Sequence, residues 1–359
     1  MFIRQRIIAR LLGSGLPSAP PIFFSIVCLR SPVMAQEIEL KLALSQPVVD
    51  RLSLLETLSS IPELTGLTPK RRWLANTYFD TPEHALERAR MALRLRRSGT
   101  DADSSAPLRQ TLKTSGESHG GLHSRGEWEW ALPEDQATLD LDGLRALPPL
   151  QALNETSREQ LLHALSPTFS TDFERHAWQI EVAVAGGSVG VELALDLGAV
   201  KVEGREVAIQ ELELELTGND QLPIESREAV LWTLADALAS RLALRPADAS
   251  KAQRGAALRD NDWHERSLDT TDPRALLAAA IDALDAHADR QSQDGERWLA
   301  HALAAVSALA SRLAASQHHG HIHAVALVEA LEQSTGTETT WATLAFGQHS
   351  LSLLAALRD

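Results

Sequence analysis

The chain has 359 residues, 44% hydrophobic and 23% charged, so it can bury a sizeable core and is neither mostly disordered nor a multi-span membrane protein. Its 48 acids against 34 Lys and Arg give a net charge of -14, which excludes nonspecific nucleic-acid binding, because that needs a basic footprint. The one cysteine, Cys28, excludes an intrachain disulfide framework and a Cys-rich zinc site, and fits a reducing compartment.

Residues 1–33 carry Arg4, Arg6, Arg10 and Arg30 and no acid. Their apolar stretches, around 7–12 and 22–29, are split by Gly and Pro and fall short of the ~18 residues that span a bilayer. The segment reads as a leader or as the product of a mis-called start. Translation from Met34 is the preferred reading, since an alternating strand begins directly after it. Without the four arginines, 30 basic residues stand against 48 acidic ones, a net of -18. A cytoplasmic chain without a membrane partner is expected, and the oligomeric state is left open.

After Met34, period-two alternation predicts strands over 37–44, 72–79, 91–97, 108–114, 124–131, 173–184, 188–197, 199–202 and 206–217. Helical patterns fall at 48–60, 140–153, 154–165, 224–244 and 250–258. Gly186-Gly187 and Glu203-Gly204-Arg205 mark tight turns between long strands. Residues 258–272 are a polar connector. Residues 273–359 are Ala/Leu-rich with helical periodicity, which predicts an all-α helical bundle.

Side chains at i and i+2 share a strand face. On that rule Glu37, Glu39 and Lys41 oppose Ile38, Leu40 and Leu42. Arg94 and Arg96 pair, as do Thr111 and Lys113. Arg125, Glu127 and Glu129 oppose Trp128 and Trp130. Arg175 faces away from Trp178. Glu192 and Asp196 align, and Glu211, Glu213 and Glu215 oppose Leu212, Leu214 and Leu216. Any one such strand is the ordinary solvated face of a half-buried sheet. Taken together, the charged faces are sorted by sign, and three glutamates on one face repel one another unless something neutralises them. A sheet closed into a barrel, apolar outside and charged inside, reconciles the set. Carboxylates suit hard divalent cations such as Mg²⁺ or Mn²⁺, and arginine forks suit phosphate. Acids for metal facing bases for phosphate describe a site for a metal–polyphosphate complex.

The same residues resemble the CYTH superfamily, the triphosphate tunnel metalloenzymes. The matching motifs are Glu37-Ile38-Glu39-Leu40-Lys41, Tyr78-Phe79-Asp80-Thr81-Pro82, Ala92-Leu93-Arg94-Leu95-Arg96, Thr111-Leu112-Lys113 and Arg125-Gly126-Glu127-Trp128-Glu129. Glu192 to Asp196 with Gly198, Glu211-Leu212-Glu213-Leu214-Glu215 and Ser250-Lys251-Ala252-Gln253-Arg254-Gly255 complete the set in order. One departure is Arg90, where the family often has Gly; if that position takes positive φ, Arg90 costs strain. The resemblance covers Met34 to about Gly255, and its last motif is similar to bacterial inorganic triphosphatases.

It implies an α+β fold: a closed antiparallel eight-stranded barrel tunnel with flanking helices over 34–257, followed by the helical bundle. It implies a metal-dependent hydrolase that cleaves tripolyphosphate, a small-molecule triphosphate, to pyrophosphate and phosphate. Lys41, Arg94, Arg96, Lys113, Arg125, Arg175 and Lys251 would bind phosphate, Lys251 from a helix beyond the barrel. Glu37, Glu39, Glu211 and Glu213 would hold a first Mg²⁺ or Mn²⁺. Glu127, Glu129, Asp196 and Glu215 would hold a second metal or position the water, with Lys41, Glu129 and Glu215 as the catalytic groups. Adenylate cyclase chemistry, thiamine triphosphate hydrolysis and a non-catalytic triphosphate- or polyphosphate-binding module are the alternatives. Tyr78, Phe79 and Asp80 read as braces of a strand end, and the tryptophans as exterior packing.

Residues 273–357 resemble a shortened, divergent conserved-histidine α-helical domain. Residues 266–359 hold six Arg, no Lys and eleven acids, which disfavours polyphosphate binding there. His318, His319, His321 and His323 read as a polar loop between helices rather than a metal tract.

Overall fold

The computed structural model describes residues 34–101, 106–114, 116–218, 221–290, 293–334 and 340–358. The leader expectation for 1–33 lies outside the described residues. Ten strands form one antiparallel sheet: β1 (Met34–Leu44), β2 (Lys70–Asp80), β3 (Met91–Gly99), β4 (Leu108–Thr114), β5 (Glu117–His119), β6 (Leu122–Ala131), β7 (Ser166–Val184), β8 (Gly187–Val202), β9 (Arg205–Thr217) and β10 (Leu244–Pro246). Eight of them close a barrel in the order β1-β9-β8-β7-β2-β3-β4-β6, with β6 returning to β1. The short strands β5 and β10 add to the edges of β6 and β1. Strands predicted at 188–197 and 199–202 are one strand. Neither β5, β10 nor the first residues of β7 show enough alternation to be read from sequence.

The turns between β7, β8 and β9 follow their residue chemistry. Val202 faces Arg205 across a two-residue turn in which Glu203 (φ 45°) and Gly204 (φ 79°) are both left-handed, the twist a tight hairpin needs. Gly198, in the centre of β8, serves a different purpose. A Cβ there would lie 2.1 Å from the Asp172 carbonyl oxygen and 2.4 Å from Phe173 Cα, so β8 and β7 approach closely only because the side chain is absent.

Arg90 adopts φ 55°, the conformation anticipated from the family's glycine. It is exposed and precedes β3, so its Cβ strain has little to offset it. Arg90→Gly is expected to stabilise the fold by roughly 0.5–1 kcal/mol. Thermal melts of the two chains check this, and a lower midpoint in the variant would contradict it.

Apolar strand faces point outward and are covered by helices. Leu93, Leu95, Leu112, Trp128 and Trp130 pack beneath Leu144, Leu150, Leu161 and Leu162 of three short helices, Leu141–Arg145, Pro148–Gln151 and Glu155–Ala164. Leu40, Leu42, Trp178, Leu193, Leu212 and Leu214 pack against the helix Ile224–Ala239 within the largest core. That core continues into the C-terminal helices Pro273–Arg290, Gly295–Ala315, His321–Glu332 and Leu344–Ala356. One of them, Gly295–Ala315, is long and apolar enough to cross a membrane by length and composition; its Trp298, Ala302, Val306, Leu309 and Leu313 are buried in this core.

Inside the barrel, the inward faces of β8 and β9 change character along their length. Beyond Asp196 and Glu211 come Val200, Val202, Val207 and Ile209, which pack with Leu74, Phe173 and Leu258. Leu258 belongs to the helix Lys251–Asp260, which Ser250 and Gln253 start with a reciprocal capping box. This apolar group caps the charged interior, and Phe173 forms its floor, with the Lys251 ammonium 4.9 Å above the ring.

Candidate active site

Every strand of the closed barrel except the edge additions sends a polar side chain inward. The middle layers are closely packed: Glu39, Lys41, Thr111 and Asp196 are all buried. Long cations reach across to acids on neighbouring strands.

One wall gathers carboxylates. Asp196, Glu211 and Glu213 each place an oxygen within 4.8 Å of the others, through the β8–β9 register that sets Asp196 opposite Glu211. Lys251 enters this group, with its ammonium 2.7 Å from Asp196 Oδ2, 2.9 Å from Glu213 Oε1 and bonded to Glu211 Oε1. Arg175 donates to both Asp196 oxygens at 2.7 Å and to Glu213 Oε2 at 2.5 Å. Burial opposes the charge on Arg175, but Asp196 and Glu213 hold its pKa well above the usual value. Burial likewise opposes the Glu213 charge, and Lys251, Arg175 and Lys41 hold its pKa well below the carboxylate range. Lys41 faces Glu213 across β1 and β9, 3.8 Å away.

The adjoining wall joins β1, β6 and β4. Arg125 donates to Glu37 Oε2 at 2.9 Å and to Glu39 Oε1, and Lys113 donates to both Glu37 oxygens at 2.7 Å. Burial disfavours the Glu37 charge, yet Lys113 and Arg125 more than offset it and hold the pKa low. Glu127 lies 3.6 Å from Lys113 and 3.7 Å from Arg94. Glu129 accepts from Arg109 at 2.7 Å and Thr111 at 3.0 Å. Glu215 sits opposite Glu39 with no cation pairing it among the described residues. Burial, with Glu37 and Glu39 beside it, pushes its pKa up to about 8.

The grouping of acids thus departs from the sequence-based division. Asp196 stands with Glu211 and Glu213, while Glu37 and Glu39 gather around Arg125. Three carboxylates within reach of one another fit a hard divalent cation.

Positive charge is in excess on β3. Arg96 donates through Nε to Asn76 Oδ1 at 2.9 Å and has no carboxylate within 4.0 Å among the described residues. Burial, then Arg94 and Arg175, lower its pKa to about 10. Arg94 is buried, and its Nε finds no partner among the described residues. Tyr78, Glu127 and Glu129 raise the Arg94 pKa against burial, so it is Arg96, without a carboxylate partner beside Arg94, whose charge suits an anion.

Neutral groups complete the site, and a search restricted to charges misses them. Asn76 and Tyr78 alternate on the inner face of β2. The Tyr78 ring stacks on Phe169 at 4.5 Å, and Arg94 beside its hydroxyl lowers its pKa against the effect of burial. Asp80, by contrast, braces the strand end as expected: it accepts from the backbone N–H groups of Thr81, Leu86 and Glu87. His123, two residues before Arg125, also points inward and is buried. Burial and Lys41 lower its pKa to about 4. A folded pKa below the unfolded ~6.5 gives stability that is present above pH 6.5 and lost as pH falls towards 4. His123→Gln is therefore expected to remove about 2 kcal/mol of the stability difference between pH 7 and pH 5. Urea unfolding at the two pH values measures this, and an unchanged difference would clear His123 of that role.

Residues 35–256 match the CYTH domain. An inorganic triphosphatase of Haemophilus influenzae is 34% identical over 224 residues, which are 62% of this chain and 55% of that protein. The chain thus spans about half the length of this curated relative. Among solved structures, a Hippeastrum protein described as an adenylyl cyclase candidate with a dominant triphosphatase activity is 20% identical, covering 63% of this chain and 96% of its own, with a TM-score of 0.41. An adenylate cyclase candidate of Bacillus halodurans is also 20% identical, covering 56% of this chain and 91% of its own, with a TM-score of 0.31.

Proposed function

Because the chain belongs to the CYTH domain family, we propose that it is a metal-dependent triphosphatase that hydrolyses tripolyphosphate inside the barrel. The observation that carries this reading is the half-buried Arg96, which lies beside the buried Arg94 and has no carboxylate partner among the described residues. A linear triphosphate supplies the missing negative charge. The name of the Haemophilus influenzae relative supports the same substrate class.

In this proposal Arg94 and Arg96 take one end of the triphosphate, with the Tyr78 hydroxyl orienting Arg94. Lys113 and Arg125 extend the cationic wall, while Lys41, Arg175 and Lys251 face it from the carboxylate side. Asp196, Glu211 and Glu213 would hold Mg²⁺ or Mn²⁺, and Glu37, Glu39 and Glu127, which also line the barrel, would contribute to one or two sites. The metal would neutralise phosphate charge as it develops. A water oxygen then bonds to the terminal phosphorus, the bridging P–O bond breaks, and pyrophosphate leaves. Glu129 accepts the water proton, or Glu215 does once a bound cation beside it restores its ionised form. The cations stabilise charge on the transferring group and on the leaving oxygen, which is the main catalytic task in phosphoryl transfer.

The test incubates the full chain with tripolyphosphate, ATP or thiamine triphosphate and Mg²⁺ or Mn²⁺. Phosphate and pyrophosphate in equal amounts from tripolyphosphate, abolished by chelator, is the expected result. Cyclic AMP from ATP, a preference for thiamine triphosphate, or tight binding without turnover would each replace this reading.

A further inference from the structure

The helix Pro273–Arg290 is tied to the barrel interior by a relay of hydrogen bonds. Asp285 on this helix is buried. Its Oδ2 accepts from the backbone N–H groups of Asp248 at 3.0 Å and Ala249 at 2.9 Å, and its Oδ1 takes the buried Arg245 guanidinium. One turn further on the same helix face, Asp289 holds Arg254 through Nε at 3.1 Å and through Nη2. These two carboxylates grip the chain on either side of Lys251. The ammonium of Lys251 lies among Asp196, Glu211 and Glu213. The gripped segment also touches the strand carrying Lys41: Ala247 N–H donates to the Lys41 carbonyl at 3.2 Å.

We propose that Asp285 is a positioning residue, a carboxylate of the C-terminal helices that fixes residues 245–249 and thereby sets how far Lys251 reaches into the barrel. The physical argument is one of leverage. A charge-assisted hydrogen bond works over a few tenths of an ångström, so the placement of Lys251 depends on the start of its helix. Without the Asp285 carboxylate, two backbone donors and a buried guanidinium lose their acceptor together. The segment 245–249 that leads into the Lys251–Asp260 helix then loses its anchor, while Arg254, one turn into the helix, stays held by Asp289. The C-terminal helices are, on this view, part of the site's framework. Only the consequence for turnover rests on the triphosphatase reading; the placement of Lys251 does not.

The experiment compares full-length wild type with Asp285→Ala by brief acetic anhydride labelling, with the extent at each lysine read by peptide mass spectrometry. Lys251 is expected to label at least tenfold faster in the variant, while Lys113, across the barrel on β4, keeps its wild-type rate. Global loosening would raise both and would overturn the proposal, as would a wild-type rate at Lys251. In the same chains, Asp285→Ala should lower kcat/KM for tripolyphosphate at least tenfold, but change it little in a Lys251→Ala background. Equal losses in both backgrounds would refute action through Lys251. If the wild type proves inactive on triphosphates, the labelling still decides the placement. Asp285→Asn, which keeps the shape and one acceptor oxygen, carries the labelling readout if the alanine chain does not fold; a several-fold rise at Lys251 is expected, and no rise overturns the proposal.

Discussion

Arg96→Met should lower kcat/KM for tripolyphosphate by about 10²–10³-fold while leaving the thermal midpoint within a few degrees of wild type. The two halves follow from one fact. Arg96 has no carboxylate partner among the described residues, and its charge is opposed by burial and by Arg94 and Arg175. Removing it relieves repulsion and roughly offsets the lost hydrogen bond to Asn76, which is worth about 1 kcal/mol. An arginine kept for structure behaves differently, since breaking a buried ion pair costs about 3–5 kcal/mol. Activity near wild type, or a collapse of stability, would show that Arg96 is not held in readiness for an anion. Saturating tripolyphosphate should stabilise wild type more than the variant, because ligand binding to the native state shifts unfolding by mass action.

Asp196→Asn has the opposite signature. Asp196 is buried, accepts both forks of Arg175 and faces the Lys251 ammonium. The amide keeps the shape but leaves the buried Lys251 and the half-buried Arg175 under-neutralised, at a cost of roughly 3 kcal/mol or more. The thermal midpoint should fall by on the order of 10 °C. Calorimetric titration with Mn²⁺ should also show at least tenfold weaker binding, since one of three clustered carboxylates has lost its charge. A variant with wild-type stability would deny Asp196 its structural share, and one with wild-type Mn²⁺ affinity would remove it from the metal site. Arg96 and Asp196 together separate the two kinds of charge in the barrel: one waits for a ligand, the other already holds the fold together.

Most of the barrel is legible in the strand pattern. The period of two assigns Glu37, Glu39 and Lys41 to one face and Ile38, Leu40 and Leu42 to the other, and the structure keeps every one of them there. The β8–β9 hairpin is equally legible, because Glu203-Gly204 sets the register that places Asp196 opposite Glu211. Neutral partners were harder to see. Asn76 and Tyr78 carry no charge to flag them, and Asp248, beside His123, lies in a loop with no periodicity.

The sequence by itself determined which side of each strand is charged, because alternation of side chains is a property of the extended backbone alone. It also placed the turns, since left-handed conformations at Gly204 and Gly186 are local matters. Tertiary structure decided which charges meet. Glu37 and Arg125, 88 residues apart, touch only because β6 returns to β1 and closes the barrel. Strand tilt and stagger around the whole ring set that contact, and no local pattern encodes them. For the same reason the acids regrouped around Arg175, Lys251 and Arg125, and Lys251 came to depend on a carboxylate 34 residues further along the chain.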